Sequence, residues 1–324
     1  MAITLEQAKV GMADKVDQMV IDEFRRGSIL MDKITFDDTV SPGTGGSTLV
    51  YGYTQLKTPG TAGFRDINTE YTPQVADRQT KSVELKVFGG TFDIDRVIAD
   101  TSGAVNEVDF QLKEKVKATI NLFHNAIING DKSVKGFDGL DKMLVGSSTE
   151  INTDAIIDLS SASALDTNYK LLLDLLDEFL AEMDGKPDML MGNTKLMTRI
   201  KQAARRAGYL DKTLDGFGRP VESYNGIPLM DMDYFYDGST TKPTVPIVTR
   251  TIGASTTGLT DLYGARFALD GLHAASPSGG KVIKTWLPDF KTAGAVKKGE
   301  VEMVAATVLK KSRAAGVLRN IKVQ

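Results

Sequence analysis

Few residues of this sequence could support acid–base or metal chemistry. The chain has two histidines, His124 and His273, and no cysteine, which excludes thiolate zinc sites, cysteine nucleophiles and disulfide bonds. His124 lies beside the apolar stripe of a long predicted helix, a position that favours a structural role over catalysis. His273 follows Gly271-Leu272 without carboxylates at ligand spacing. We therefore predict no metal site.

Motifs for catalysis or cofactor binding are also missing. Glycines 43–46 lack the Gly-Lys-Ser/Thr ending of a phosphate-binding loop, and residues 185–192 open no dinucleotide fingerprint. No Gly-x-Ser-x-Gly motif occurs. Asp93 and Asp95 are close carboxylates on a predicted strand beside Arg96, and a surface ion pair explains them better than an acid–base couple does. We predict that the chain is not an enzyme and binds no cofactor.

A basic helix is the best candidate for contact with nucleic acid. It follows a predicted cap at Asn193-Thr194 and has few aromatic neighbours. The helix before it, over residues 170–183, is acidic. Faces of opposite sign could meet inside one domain or across a subunit boundary, and both interpretations stay open. The basic residues are Lys195, Arg199, Lys201, Arg205 and Arg206, and the acidic ones are Asp174, Asp177, Glu178 and Glu182.

Length and composition are those of an ordinary folded chain. It has 324 residues, of which 41% are hydrophobic and 25% charged, enough for one large domain or two smaller ones. A formal charge of −3 gives no general reason for tight nucleic-acid binding. The sequence shows no run of eighteen apolar residues and no signal-peptide core, so we expect a cytoplasmic chain that spans no membrane.

Two helices are predicted in the first half of the chain. Residues 4–26 carry apolar residues at steps of three and four, as a core helix or as an arm that lies on a neighbour. A longer apolar stripe from Val105 to Ile127 predicts a helix that ends at Asn129-Gly130. About 25 residues of helix span roughly 37 Å, the diameter of a small domain, so this helix should form a spine on which other layers rest.

The segment between these helices predicts a long β-hairpin. Strands are expected over residues 48–56 and 82–96, and the stretch between them is polar, with too few apolar residues to fold on itself. In the return strand the inward positions change from odd to even numbers, which predicts a β-bulge at residues 88–90. The inward residues are Val83, Leu85 and Val87 before the change, and Phe92 and Ile94 after it.

The second half alternates helices and strands after a turn-rich boundary at residues 132–153. The predicted elements are the acidic helix over 170–183, a buried strand over 189–191, the basic helix, a strand over 223–230 that is entered through a tight turn, and terminal strands at 301–309 and 317–323.

This order of elements resembles that of the major capsid proteins of tailed bacteriophages. Asn225-Gly-Ile-Pro-Leu229 is similar to a Gly-x-Pro-hydrophobic turn in the axial domain of that family. Residues 262–267 look like the strand often written Gly-Asp-Phe, although Ala265 replaces the acidic residue. Phe137-Asp-Gly-Leu140 is typical of the segment after the spine helix. The family has the Hong Kong 97 fold, which also occurs in encapsulins and in the capsid floor of herpesviruses.

The resemblance implies an α+β chain of four parts. These are an N-terminal arm (1–47), an extended β-hairpin loop (48–96), a peripheral domain with the spine helix (97–145 and 259–312) and an axial domain (146–258 and 313–324).

The resemblance also implies a function. The chain would assemble with itself, as pentamers and hexamers, into the icosahedral head shell of a tailed phage. The shell would enclose double-stranded DNA without sequence-specific binding. Portal and scaffolding proteins would be partners, and assembly in the host cytoplasm would place the chain in the virion.

Two surfaces are expected to contact neighbouring subunits. The extended loop would lie across the adjacent subunit, because an isolated hairpin is marginally stable, and the mixed charge of its tip suits reciprocal ion pairs. The tip residues are Arg65, Asp66, Glu70, Asp77, Arg78 and Lys81. Axial domains would meet through Asp174, Asp177, Glu178, Arg199 and Arg205.

Three other interpretations stay open. The chain could form an encapsulin-type nanocompartment that holds cargo enzymes, it could be an α/β enzyme with scattered site residues, or it could be a tail or other virion component. Particle size separates a shell from an enzyme, and neighbouring genes separate a phage capsid from an encapsulin. Microscopy separates hollow spheres from tubes.

Overall fold

The computed structural model of the chain describes residues 29–38, 48–101, 107–208, 210–214, 220–252, 254–277 and 282–324. The predicted helix over residues 4–26 and glycines 43–46 lie outside these residues. Strands and helices are numbered below along the described chain. None of the described helices combines the length and the apolar character that a membrane span requires.

The first part of the chain contains the hairpin and the long helix. Its elements are α1 (Ile29–Lys33), β1 (Phe36–Asp37), β2 (Val50–Thr58), β3 (Asp77–Glu84), β4 (Lys86–Asp95), α2 (Arg96–Thr101), α3 (Glu107–Asn129) and α4 (Leu140–Met143).

The remainder alternates strands with two further helices. Its elements are β5 (Glu150–Asp158), α5 (Ala162–Glu182), β6 (Met189–Gly192), α6 (Thr194–Ala207), β7 (Leu210–Leu214), β8 (Pro220–Tyr224), β9 (Ile227–Asp231), β10 (Tyr234–Tyr236), β11 (Thr241–Pro243), β12 (Val248–Ile252), β13 (Ala254–Ala265), β14 (Leu272–Ala275), β15 (Ile283–Trp286), β16 (Val296–Leu309) and β17 (Ala315–Lys322).

The long helix predicted from apolar spacing is α3, which has 23 residues. Its buried face packs against β4 and β16. At its centre the ring of Phe123 lies 6.1 Å from Phe36, 6.0 Å from Phe88 and 6.3 Å from Phe137. Aromatic side chains bury large areas and orient one another. This cluster therefore packs β1, β4 and the loop after α3 around one core.

Strand β16 is the centre of the five-stranded sheet beneath α3. It pairs antiparallel with β4, β14 and β15, and β1 pairs parallel with β14. Val301, Met303 and Ala305 of β16 are buried, as the predicted alternation requires. The hairpin thus joins the body through the strand that holds this sheet together.

The β-bulge predicted at residues 88–90 is wrong. β4 pairs with β16 in one unbroken register through these residues. The apolar face changes side at Leu85 instead, where the chain leaves β2 and begins to pair with β16. Val87, which was predicted to face inward, is consequently exposed. Gly89 is required in the strand because a side chain there would collide with the carbonyl oxygen of Val301.

An eight-stranded sheet carries the second core. Its order is β5-β17-β13-β6-β9-β8-β7, with β12 added to β13. Helices α5 and α6 pack on this sheet through buried leucines, Phe179 and Ile200. Helix α5 begins at Ala162, well before the predicted residue 170, because Ser161 caps it by accepting a hydrogen bond from the Ala164 amide. Asn193 caps α6 in the same way, as predicted.

Strand β13 contributes to both cores. It spans the predicted domain boundary at residues 258 and 259 and belongs to the eight-stranded sheet. Tyr263 and Ala265 pack in the first core, whereas Leu262 packs in the second. Alternate side chains of a strand point to opposite faces. One face of β13 therefore packs in the first core and the other face packs in the second.

A buried group of charges lies where the two cores meet. The guanidinium of Arg319 in β17 is 2.6 Å from Asp141 and 3.1 Å from Asp261, and it also donates a hydrogen bond to Glu150. Asp261 forms a second ion pair, with Arg250, at 2.5 Å. Burial lowers the pKa of Arg319, but its bonds to Asp141 and Glu150 outweigh burial and raise that pKa. Arg319 therefore stays charged and ties α4 to β5, β13 and β17.

Candidate intersubunit surfaces

The residues that could support chemistry occupy separate places in the structure. His124 is buried in α3, and burial lowers the pKa of its imidazole to about 4. Asp95, one of the two carboxylates beside Arg96, accepts a hydrogen bond of 2.8 Å from the Val97 amide at the start of α2, and the ion pair with Arg96 stays a prediction. Among the described residues, no group of three or more potential ligands could hold a metal ion.

The hairpin of β2 and β3 carries the candidate contact surface. It confirms the strand predicted over residues 48–56, but the return strand predicted over 82–96 is wrong in its bounds, because β3 (Asp77–Glu84) pairs with β2 and β4 (Lys86–Asp95) pairs with β16. The strands pair antiparallel from Val50 with Glu84 to Thr58 with Asp77. Beyond that pair, residues 59–76 form no strand. Every side chain from Leu56 to Arg78 is exposed. We call residues 56–78 the hairpin tip.

The charges predicted for the hairpin tip are present, and part of them bind within the tip itself. Arg65 donates to the carbonyl oxygens of Asp66 and Thr69 at 3.3 and 3.2 Å, and its guanidinium lies 5.4 Å from the ring centre of Tyr71. Asp77 forms an ion pair of 3.3 Å with Lys57. These contacts shape the tip.

The other predicted charges of the hairpin are exposed and stand apart from these contacts. The side chains of Asp66, Glu70, Arg78 and Lys81 form no ion pair or hydrogen bond with another residue in the described part of the chain.

Large apolar side chains stand out from the same tip. Phe64 is 109% exposed, and Ile67 and Val75 are 89% and 86% exposed. Tyr71 is also exposed. Single exposed apolar residues are common on protein surfaces, but a group of them makes the tip a candidate contact site. Sequence reasoning weighed the charges and missed these side chains, although their spacing of three and four residues was visible.

The predicted axial charges lie on α5 and α6, which pack against each other within one chain. Arg206 of α6 forms an ion pair of 2.7 Å with Asp166, and Lys201 forms one of 2.6 Å with Glu222. Arg199 donates to the Ser160 carbonyl at 2.6 Å. Two of the five basic residues of this helix, Lys201 and Arg206, are therefore paired with carboxylates of their own subunit.

The acidic helix keeps free charge at its surface. Asp177 accepts a hydrogen bond of 2.9 Å from the Tyr224 hydroxyl. Asp174, Glu178 and Arg205 are exposed and have no ion-pair partner in the part of the chain that the structure describes. A cleft of about 730 Å³ opens beside them. It is lined by residues that include Tyr169, Lys170, Asp174, Asp177, Arg206 and Tyr224.

A second group of exposed apolar side chains follows β15. Trp286, Leu287 and Phe290 are between about 38% and 48% exposed, and Val296 is exposed at the start of β16. The loop from 287 to 295 is solvent-facing except at Pro288. It is a further candidate contact surface at the far end of the sheet that carries the hairpin.

Comparison with solved structures shows what this architecture is similar to. The holo-SrpI encapsulin complex from Synechococcus elongatus PCC 7942 contains a chain with a TM-score of 0.61 and 15% identity, over 91% of this chain and 88% of that one. A chain from Mycobacterium phage Bobi has a TM-score of 0.55 at 15% identity, over 90% and 89% of the two chains. The capsid of the native GTA particle gives a TM-score of 0.57 at 12% identity, over 85% and 86%.

The chain has the Hong Kong 97 capsid fold. The similarity covers nearly the whole of each chain and therefore includes both cores. At these identities the shared property is the fold. The sequence matches no protein-family model, and a comparison with curated proteins found no match.

Proposed function

We propose that this chain is the major capsid protein of a tailed phage, a subunit that assembles with copies of itself into a closed icosahedral shell around double-stranded DNA. The observation that carries the proposal is the hairpin tip, whose apolar side chains Phe64, Ile67 and Val75 are almost fully exposed. The fold shared with capsid and encapsulin chains supports it.

The tip needs a partner surface for energetic reasons. Burying a large apolar side chain stabilises a complex by about 1.5–3 kcal/mol, and a two-stranded hairpin is marginally stable in isolation. Residues 59–76 form no strand and pair with none in the part of the chain that the structure describes. A second copy is the partner that is always present at the same concentration, so the tip of one subunit would lie on the body of the next.

Such a contact joins two different surfaces of the same chain. Head-to-tail contacts of this kind close into rings when the rotation between copies permits it. Rings of five and six subunits would then form the pentamers and hexamers of a shell. The charged residues Asp66, Glu70, Arg78 and Lys81 would set the register of each contact, because ion pairs specify orientation more than affinity.

The domain division belongs to the same proposal. The arm (1–47), extended loop (48–96), peripheral domain (97–145 and 259–312) and axial domain (146–258 and 313–324) follow the resemblance to capsid proteins. Axial domains would meet through Asp174, Glu178 and Arg205, which form no ion pair with any other described residue of the chain. Asp177 and Arg199 would support them from within, since both have partners in their own subunit.

The other proposed partners are proteins that the assembly of a phage shell would require. A portal and a scaffolding protein would act during assembly in the host cytoplasm, and the mature chain would reside in the virion. The formal charge of −3 favours enclosure of DNA over tight or sequence-specific binding. We propose no catalytic role.

Electron microscopy with matched variants tests the proposal. The purified chain should form hollow closed particles of megadalton mass. Phe64→Ser with Ile67→Ser should weaken each contact roughly tenfold or more and abolish the particles. Val134→Ser, which changes an exposed apolar residue of the body, is the control and should assemble normally. A native chain that stays a monomer or small oligomer under all assembly conditions would refute the proposal.

A cellular nanocompartment of the encapsulin type is the second candidate. The TM-score of 0.61 to the SrpI encapsulin chain favours it. The content of particles isolated from the source organism separates the two candidates. Packaged double-stranded DNA supports a phage capsid, and an enclosed protein cargo supports an encapsulin.

A further inference from the structure

The base of the hairpin is held by a row of polar-tipped side chains. Tyr51, Tyr53 and Gln55 are alternate residues of β2, so they share one face of the strand. The Tyr53 hydroxyl donates to the Leu309 carbonyl at 3.2 Å, and the Gln55 amide donates to the Lys310 carbonyl at 2.9 Å. Both acceptors belong to the end of β16 and the residue after it.

The first member of this row enters a buried charged cluster. The Tyr51 hydroxyl donates a hydrogen bond of 2.6 Å to Asp37, which follows Phe36 in β1. The ammonium of Lys310 lies 3.8 Å from the Asp37 carboxylate and 5.3 Å from the centre of the Tyr51 ring. His273 is fully buried, with Nε2 at 3.4 Å from the Tyr51 hydroxyl and 4.0 Å from Asp37.

The chemistry of this cluster keeps the Tyr51 hydroxyl as a donor. Burial and then the neighbouring Asp37 raise the pKa of Tyr51, so the phenol stays protonated. Hydrogen bonds to a charged acceptor are shorter and stronger than neutral ones. They are also directional, whereas apolar packing tolerates sliding. A strand held in this way can leave the body in one direction only.

Besides this row, the base of the hairpin is supported by the packing of Val83 and Leu85 on the first core and by the pairing of β4 with β16. A cleft of about 690 Å³ lies beside the row, between the hairpin base and the turn at residues 132–138. Beyond Gln55 the side chains of the tip are exposed. Small changes of angle at the base would therefore be amplified along the tip.

We propose that Asp37 and Tyr51, supported by Lys310 and His273, are positioning residues that set the direction of the extended hairpin relative to the body. This inference rests on the proposed function for its biological consequence, because a misdirected tip cannot reach the neighbouring subunit. Asp37 lies in β1, just before the hairpin in sequence, whereas His273 lies in the adjacent strand β14 of the same sheet and Lys310 directly follows β16.

Distance measurement between spin labels tests this role directly. The chain has no cysteine, so Thr80→Cys in β3, within the paired part of the hairpin, and Lys117→Cys in α3 give a single labelled pair. Both residues are exposed. In the unassembled chain the native sequence should give one narrow distance distribution. Tyr51→Phe, which removes only the hydroxyl, should broaden or shift that distribution, and Asp37→Asn should do the same. Tyr236→Phe also removes a hydroxyl with one hydrogen-bond acceptor, Gly238, and should leave it unchanged.

Two further readouts separate a positioning role from loss of folding. Tyr51→Phe should still unfold in one cooperative transition, with a midpoint lower by the few degrees that one buried hydrogen bond contributes, while its yield of closed particles falls far below that of Tyr236→Phe. If the distance distribution between the two spin labels is unchanged in both Tyr51→Phe and Asp37→Asn, the inference is overturned, even if the native chain forms shells. A broadened distribution in a chain whose native form never assembles would leave the inference standing and refute the proposed function.

Discussion

At the scale of single residues, Arg319 carries the largest predicted effect on stability. Its guanidinium, with 10% of the side chain exposed, contacts Asp141, Glu150 and Asp261. Arg319→Met would leave three carboxylates without this partner. Breaking a buried pair from one side costs about 3–5 kcal/mol. Urea unfolding of the unassembled chain, followed by circular dichroism, should show a loss of that size.

The matched control for this prediction is Arg313→Met. The Arg313 side chain is 52% exposed and forms one ion pair of 3.3 Å with Glu182, so its removal should cost less than about 1 kcal/mol. If Arg319→Met and Arg313→Met lose the same free energy of unfolding, the buried cluster stabilises the junction of the two cores no more than an exposed ion pair does.

His124 predicts how stability depends on pH. Burial lowers its folded-state pKa from 6.5 to about 4, so the unfolded chain binds a proton more readily. The stability from the neutral buried histidine is complete above pH 6.5 and is lost as the pH falls towards 4, by roughly 3 kcal/mol in total. His124→Leu should unfold with a flatter pH profile in this range. A profile as steep as that of the native chain would contradict this account.

Residue types alone could predict which charges lie on the hairpin, but not which charges would meet. Tyr224 and Asp177 are far apart in sequence and form a hydrogen bond because α5 and β8 are neighbours. Likewise, nothing local to Asp37 or Tyr51 indicates that Lys310 and His273 lie beside them. Long-range neighbours are set by sheet order, which spacing does not reveal.

At the scale of elements, the hairpin should be separable from the body. Its tip contributes no buried apolar side chain to either core. Replacing residues 59–76 by Asn-Gly joins Thr58 to Asp77 through a two-residue turn that suits an antiparallel pair. The shortened chain should unfold within about 0.5 kcal/mol of the native chain, and gel filtration should show that it no longer forms large particles. Retained particles would mean that the tip is not the contact that closes the shell.

Elements with strong local periodicity could be predicted, and those set by distant partners could not. The apolar steps of α3 and the Asn193 cap of α6 identify both helices from sequence. The supposed bulge in β4 failed because the register of that strand is set by β16, about two hundred residues later in the chain. The start of α5 was missed because Ser161 caps it before the strong leucine pattern begins.

At the scale of the whole molecule, the order of elements indicates the fold better than any motif does. Strand β13 of the eight-stranded sheet contributes side chains to both cores, and no run of residues around the predicted boundary at 258 and 259 indicates this. The apolar loop after β15, with Trp286 at its start, shows that the hairpin tip is one of at least two exposed contact candidates in the described chain. Many modest contacts of this kind can close a shell through multivalency.

The most direct measurement is amide hydrogen exchange across residues 59–76. Within this described segment the structure shows one backbone hydrogen bond, from the Thr69 amide to the Asp66 carbonyl. In a dilute monomer these amides should therefore exchange almost freely, and in assembled particles they should exchange about 100-fold or more slowly because a neighbouring subunit covers them. Strong protection in the monomer, or equal exchange in monomer and particle, would contradict the claim that a second copy orders the hairpin tip.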